Sequence, residues 1–176
     1  TAGDLVVAPR EPRGTLAVID VTDPRRPREL ASFAIDARGY AYAHLARIVG
    51  ARLYVFKSFG LGGSVLTIWG IADPAQPRPR GELALGRPAS DVAVVGELAY
   101  VALTSSVGDA DDGSPGSLVI LDVADPGRIT AIGQLDFDRS AWSIEIAGDL
   151  AYLTTSTGYH FVGGWSGLRI VDVSDP

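Results

Sequence analysis

Four copies of one strand-like segment, each ending in Asp-Pro, recur along the chain at a period of about 50 residues. The four segments are Leu16–Pro24, Leu66–Pro74, Leu118–Pro126 and Leu168–Pro176. A repeat of this length, with one apolar strand and a fixed turn, is typical of proteins that stack copies of a small sheet, because a single sheet cannot cover both of its own faces. The repeat therefore predicts a chain of successive sheets, as in a β-propeller.

Both faces of the repeated strand are apolar. Leu118 and Ile120 fall on one face, and Val119 and Leu121 fall on the other, so a sheet containing this strand has to be covered on both sides. Blades around an axis or a doubly wound α/β sheet would both provide such cover. No segment has the 10 to 15 residues of helical periodicity that crossover helices need. We therefore predict an all-β propeller of four-stranded antiparallel blades, of which this chain covers about three and a half.

A glycine precedes a second strand by a constant offset in each copy, which predicts a tight hairpin turn with positive φ at the glycine. The pairs are Gly3 and Val7, Gly50 and Tyr54, Gly96 and Tyr100, and Gly148 and Tyr152. The chain then divides into repeats over residues 1–38, 39–88, 89–140 and 141–176. The predicted strands span 42–49, 52–57, 65–71 and 80–85 in the second repeat, and 91–95, 98–104, 117–123 and 129–136 in the third.

Aspartates recur at two positions of the repeat, and we assign them to folding. Those before proline are expected to accept backbone N–H bonds as Asx-type caps, and those three residues earlier are expected to accept hydrogen bonds at the strand end. The first set is Asp23, Asp73, Asp125 and Asp175, and the second is Asp20, Asp122 and Asp172.

The chain resembles the LVIVD-repeat β-propellers, whose units carry a Gly-x-x-x-Tyr strand, a Leu-x-Ile-Val-Asp-Val-Ser-Asp-Pro strand and then a second proline. Leu168–Pro176 is close to the full pattern, whereas Gly70 replaces the strand aspartate in the second unit and Ile129 replaces the second proline in the third. The resemblance implies a propeller in an extracellular or cell-envelope setting. It implies no common activity and no catalytic residues.

Charge and composition exclude several functional classes. A net charge of −6 and a pI near 4.8, without a basic stripe, argue against nucleic-acid binding. The absence of cysteine excludes disulfides and thiolate chemistry. Apolar runs are too short for a transmembrane segment, and no signal peptide is present at Thr1, so an exported protein would have lost its exporting segment.

Connecting loops that differ in every unit are expected to share one face of the propeller, where function tends to lie. The candidate contact residues for a ligand or partner are aromatic or titratable, namely Phe59, Tyr159, His160, Phe161 and Trp165. The alternative is that the aromatic residues cap their own blade.

An acidic loop offers a weak calcium site, and no other cofactor is expected. Asp109, Asp111 and Asp112 precede Gly113 as in the opening of a Ca²⁺ loop. The third acid comes one residue early, however, and no glutamate follows at the twelfth position. A solvated insertion is the alternative interpretation.

Residues of the first strands are expected to line a central channel. Counting six residues back from each turn glycine aligns His44, Ser90 and Trp142 near its upper mouth, with Asp91 one step further on. These residues are either ligand contacts or structural residues that bind water.

We expect a non-enzymatic interaction module that binds a protein partner or further blades of the same protein. One alternative is a hydrolase or lyase with its site around His44, Asp91, Trp142 and His160, and another is a calcium-stabilised adhesion module. The predicted strand counts of the four units are three, four, four and three. Because propellers need closed rings, we expect these residues to be part of a larger propeller, completed by a longer parent chain or by a second copy.

Overall fold

The computed structural model describes residues 4–10, 14–36, 41–58, 63–104, 115–156 and 166–175. Within these ranges the chain forms fourteen β-strands, no α-helix and a single 3₁₀ turn over Pro126–Arg128. No helix in the described ranges is long and apolar enough to cross a membrane. The absence of helical periodicity in the sequence is thus matched by an all-β structure.

The strands form four antiparallel sheets in chain order, with three, four, four and three strands as predicted. Sheet 1 contains β1 (Leu5–Arg10), β2 (Thr15–Asp20) and β3 (Arg28–Ala34). Sheet 2 contains β4 (Tyr42–Val49), β5 (Arg52–Ser58), β6 (Ser64–Gly70) and β7 (Arg78–Ala84). Sheet 3 contains β8 (Ala89–Val95), β9 (Leu98–Leu103), β10 (Gly116–Asp122) and β11 (Thr130–Phe137). Sheet 4 contains β12 (Ser140–Ala147), β13 (Leu150–Ser156) and β14 (Ser166–Asp172).

Each sheet is a meander in which consecutive strands pair. In sheets 2 to 4 the first and second strands are joined by two-residue turns whose glycines have positive φ, at +56° for Gly50, +59° for Gly96 and +58° for Gly148. A side chain at these positions would be strained, which explains why glycine recurs there. The prediction of positive-φ hairpin turns is therefore confirmed in sheets 2 to 4.

The Asp-Pro turns that follow β2, β6 and β10 are held by the repeated aspartates. The carboxylates of Asp23, Asp73 and Asp125 each accept a hydrogen bond from the backbone N–H two residues later, at 2.9 to 3.0 Å. Where Ile129 replaces the second proline, the same turn becomes a 3₁₀ helix with Asp125 as its N-cap. The aspartates at the ends of β2, β10 and β14, such as Asp20, cap the backbone in the same way.

Two β-bulges recur in the sheets. In the first strands β4, β8 and β12 the register shifts at the residues that the sequence aligned, His44, Ser90 and Trp142. A second shift lies between β2 and β3 in sheet 1, between β6 and β7 in sheet 2, and between β10 and β11 in sheet 3. Because a bulge adds local twist and re-aims one side chain, each first strand presents its bulged residue differently from its neighbours.

Packing divides the chain into two compact units. Sheets 1 and 2 lie in the first unit and sheets 3 and 4 in the second. In the first unit, Leu16 and Ile35 of sheet 1 pack on residues of sheet 2, and the rings of Phe33 and Trp69 meet at 4.5 Å. In the second unit, Leu118 and Ile120 of sheet 3 are buried in one core with residues of sheet 4, listed as Ala141, Ile144, Ala151 and Leu153. Each core is therefore an apolar layer between two sheets, as the two-faced apolar strands predicted.

Candidate functional site

The two ends of each sheet differ in character. At one end, called here the loop end, residues 11–14 join β1 to β2, residues 59–63 join β5 to β6, residues 104–115 join β9 to β10, and residues 157–165 join β13 to β14. At the opposite end, the turn end, lie the repeated glycine and Asp-Pro turns. The predicted contacts Phe59, Tyr159, His160, Phe161 and Trp165 and the acidic residues Asp109, Asp111 and Asp112 lie outside the described residues, so these assignments stay predictions.

His44 connects three strands at the loop end of sheet 2 through its side chain. Its Nδ1 lies 3.4 Å from the hydroxyl of Ser58, and its Nε2 lies 3.2 Å from the hydroxyl of Ser64. Both serines are buried, with 4% and 1% of their surface exposed. The imidazole therefore links the bulge of β4 to the end of β5 and the start of β6, and it meets hydroxyls that a substrate does not reach. Sequence reasoning missed the two serines, although a serine among buried apolar residues is a signal for an internal hydrogen bond.

Ser90 and Asp91 join sheet 3 to sheet 4. The Ser90 hydroxyl lies 3.0 Å from the carbonyl oxygen of Ala102 and 2.7 Å from that of Ala141 on the first strand of sheet 4. The Asp91 carboxylate accepts from the backbone N–H of Val92 at 2.9 Å and from that of Ile144 at 3.1 Å. The hydrogen bonds to Ala141 and Ile144 both reach β12, so Ser90 and Asp91 fix the position of β8 relative to β12. Asp91, which the sequence analysis offered as a ligand contact, is thus hydrogen-bonded to backbone groups.

Trp142 occupies the bulge of β12 and exposes 37% of its surface. It lies two residues before Ile144, whose N–H binds Asp91. The structure therefore brings Asp91 and Trp142 onto neighbouring strands of the second unit, whereas His44 belongs to the first unit. Trp142 therefore presents an exposed indole in the second unit, and His44 is an exposed residue of the first unit.

A second polar network at the loop end of sheet 3 was not found from the sequence. The Arg87 guanidinium donates to the Ser117 hydroxyl at 2.9 Å and to the Pro115 carbonyl at 3.1 Å. The Ser117 hydroxyl donates to Asp136 at 2.8 Å, and the Gln134 amide donates to the same carboxylate oxygen at 2.9 Å. These hydrogen bonds, with the nearby Arg87 charge, hold the pKa of Asp136 below its ordinary value of 3.8. Asp136 is therefore ionised at neutral pH and is not suited to act as a general acid.

Between β11 and β14, two adjoining grooves of about 260 and 270 Å³ run along the open edge of sheet 4. Arg169 forms an ion pair with Asp138 and lies 5.3 Å from the centre of the Phe137 ring. The groove walls are mainly apolar, with Leu135, Ile170 and Val171 on either side. In sheets 2 and 3 a fourth strand lies beside the third, whereas the outer side of β14 carries no strand of the described chain.

No cluster of three or more His, Asp or Glu side chains suited to a metal ion occurs among the described residues. The calcium hypothesis involves Asp109, Asp111 and Asp112, which are not among them.

Comparisons with known proteins give a fold and a family. No curated protein matches the sequence. Among solved structures, the chain is similar to the crystal structure of the computationally designed Ika8 protein, in its crystal packing No. 1 in P63, with a TM-score of 0.58 and 10% identity. The match covers 98% of this chain and 57% of that one, so the chain spans little more than half the length of the designed protein.

Antiparallel meanders of three or four strands, with an apolar layer between the two sheets of each unit, define a repeat protein of the β-propeller class, with the sheets as its blades. The family model described as the LVIVD repeat matches residues 86–136 and 138–176. The chain belongs to the LVIVD-repeat family, as the resemblance in the sequence implied.

Proposed function

We propose that this propeller-type module is a non-enzymatic interaction protein that binds a protein partner through its loop ends, in an extracellular or cell-envelope setting. The observation that supports this proposal is the contrast between the two ends of each sheet. Turn-end connections repeat the same glycine and Asp-Pro geometry, whereas loop-end connections differ in length and sequence from sheet to sheet. Variable loops on a repeated scaffold are the usual location of binding residues.

The described residues at the loop end support binding more than catalysis. Asp91 is held by two backbone N–H groups and His44 contacts two buried serines, so both have structural partners. The hydrolase or lyase alternative requires these groups as an acid and a base. An exposed indole such as Trp142, by contrast, is typical of a partner-binding surface, where tryptophan often contributes most of the affinity.

The experiment replaces the aromatic residues in the loop between β13 and β14. A variant with Tyr159→Ala, Phe161→Ala and Trp165→Ala is compared with the wild type as affinity bait in an extract of the source organism. The matched control is Val49→Ala with Val95→Ala, which removes exposed apolar side chains at the turn ends of sheets 2 and 3. A protein retained by both the wild type and the control is then purified and titrated calorimetrically against all three baits.

We expect the loop variant to bind this partner at least about tenfold more weakly, a loss of about 1.4 kcal/mol or more. Its melting temperature should fall by less than about 4 °C, because surface substitutions rarely cost much stability. Equal binding by the loop variant would refute the proposal. A large loss of stability with unchanged binding would show that the aromatic residues cap their own sheet.

A further inference from the structure

The strand aspartate of the repeat is replaced in sheet 2. In the other three sheets this residue is Asp20, Asp122 or Asp172, and each accepts a hydrogen bond from the backbone N–H two residues later, at 2.9 to 3.0 Å. The equivalent residue of sheet 2 is Gly70, which has no side chain. No acceptor for the N–H of Ala72, two residues after Gly70, lies among the described residues, and Ala72 is exposed. Sheet 2 therefore lacks the carboxylate that caps this N–H in the other sheets.

The cross-strand partner of the missing carboxylate is still present in sheet 2. In sheet 1, Arg28 stands opposite Asp20 and donates to its carboxylate at 3.0 Å. In sheet 2, Arg78 stands opposite Gly70 in the same register and donates to the side-chain oxygen of Gln76 at 3.0 Å. Within the described part of the chain, Arg78 forms no ion pair. Arg78 is exposed, so a carboxylate from another molecule can reach it.

A β-bulge brings a second arginine to the same point of sheet 2. The register between β6 and β7 skips Arg80, whereas the bulges of sheets 1 and 3 skip the aliphatic residues Leu30 and Ile132. A Cβ built on Gly70 would lie 2.8 Å from Nε and 3.4 Å from Nη2 of Arg80. The exposed Arg80 side chain therefore covers Gly70. The charge at this point of the repeat is negative in sheets 1, 3 and 4 and positive in sheet 2.

We propose that Arg78, Arg80 and the N–H of Ala72 form a binding site for an aspartate or glutamate carboxylate of a partner protein. Hydrogen bonds between a guanidinium and a carboxylate are among the stronger ones in proteins. Sheet 1 shows the same chemistry within the chain, since the Asp20 carboxylate binds both an arginine and the N–H of Thr22. The site lies at the turn end of sheet 2, so it is additional to the loop-end surface and does not depend on it.

The test is an NMR titration of nitrogen-15-labelled protein with two blocked tripeptides at constant ionic strength. The tripeptides are acetyl-Gly-Asp-Gly-amide and acetyl-Gly-Asn-Gly-amide, which differ by one carboxylate. The signals to be followed are the backbone amide of Ala72 and the Nε–H groups of Arg78 and Arg80. Constant ionic strength keeps the general screening of charges the same throughout the titration.

Two variants change the site and one control does not. Gly70→Asp restores a carboxylate at the usual position of the repeat, next to the flexible end of the Arg80 side chain. Arg78→Ala with Arg80→Ala removes both guanidinium groups. The control, Arg25→Ala with Arg26→Ala, removes the same charge from the exposed Asp-Pro turn of sheet 1. Circular dichroism and melting curves establish that each variant is folded.

We expect the aspartate tripeptide to shift the wild-type signals until they saturate, and the asparagine tripeptide to leave them unchanged. Gly70→Asp and the double site variant should bind the aspartate tripeptide at least about tenfold more weakly, and the control should bind it as the wild type does. Wild-type signals that do not respond to the aspartate tripeptide would overturn the proposal. So would a control that loses as much affinity as the double site variant, because the attraction would then be a general effect of charge.

Gly70→Asp also tests the position of the site. If this variant binds as tightly as the wild type, the added carboxylate does not compete and the proposal is wrong. If it does not fold, the double site variant and its control decide the question.

A phosphoserine tripeptide distinguishes a carboxylate from another oxyanion. At about pH 5, below the second phosphate pKa of about 6, the phosphoserine and aspartate tripeptides each carry about one negative charge. We expect the aspartate tripeptide to bind at least as tightly. Tighter binding of the phosphoserine tripeptide would overturn the assignment of the site to a carboxylate.

Discussion

Gly116, at the start of β10, is a position where a single methyl group should do severe damage. Its backbone N–H donates to the Arg139 carbonyl at 2.9 Å, and a Cβ built there would lie 2.5 Å from that oxygen, 2.6 Å from the Ala141 nitrogen and 2.8 Å from the Leu103 oxygen. All three neighbours are backbone atoms, which cannot move aside as a side chain end would. Gly116→Ala therefore has to displace β10 from the start of sheet 4.

Overpacking at a tight site costs about 1 to 3 kcal/mol, and contact with backbone places this substitution at the upper end of that range. Restricting the unfolded chain returns about 0.4 to 1 kcal/mol. The net loss of about 2 kcal/mol should lower the melting temperature by about 4 to 8 °C in a chain of this size.

The matched control is Gly167→Ala in β14, where the added Cβ would meet only the Thr155 hydroxyl, at an ordinary 3.8 Å. We expect this variant to melt at or slightly above the wild-type temperature. Scanning calorimetry compares the two variants under one set of conditions. If Gly116→Ala melts at the wild-type temperature, the close approach of β10 to residues 139–141 is wrong.

Two further predictions concern buried backbone groups and pH. Asp91→Ala should lower the free energy of unfolding by about 1 to 3 kcal/mol in urea titrations, because the Ile144 N–H loses its acceptor; a neutral result would mean that Asp91 does not join the sheets. For Asp20, hydrogen bonds from the Thr22 hydroxyl and backbone N–H, with a further one from Arg28, lower the pKa from 3.8 to about 2. A lowered folded-state pKa gives stability that is present above the unfolded value and is lost as pH falls from about 4 to about 2. Asp20→Asn should flatten the stability profile in that window, and wild-type and variant profiles that run parallel there would contradict the assignment.

Local chemistry made much of the fold predictable. The positive φ of Gly50 and the caps formed by Asp23 and Asp73 involve atoms only a few residues apart, so the sequence pattern contains the whole interaction. The predicted strands of the second and third repeats lie within about two residues of the observed ones, because alternating apolar residues and fixed turns limit the register. The alignment of the first strands also selected His44, but it did not predict the β-bulge at that residue.

The candidate site was less predictable because its contacts join distant parts of the chain. Asp91 was selected as either a ligand contact or a structural residue that binds water, yet its partner Ile144 lies 53 residues away on another sheet. The network of Arg87, Ser117 and Asp136 likewise joins residues that share no motif. Whether a polar residue is committed to the backbone or available to a partner depends on these long-range hydrogen bonds, which a repeat pattern does not contain.

By itself, the sequence determined the repeat, the all-β class, the strand order and the turns, because each depends on local conformation and on alternation along one strand. Only the tertiary structure decided which copies of an identical pattern are buried. Leu118 and Leu168 stand in the same context, yet the first is covered by a neighbouring sheet and the second is 61% exposed. Burial depends on what packs against a face, and that cover comes from residues remote in the chain or from another molecule.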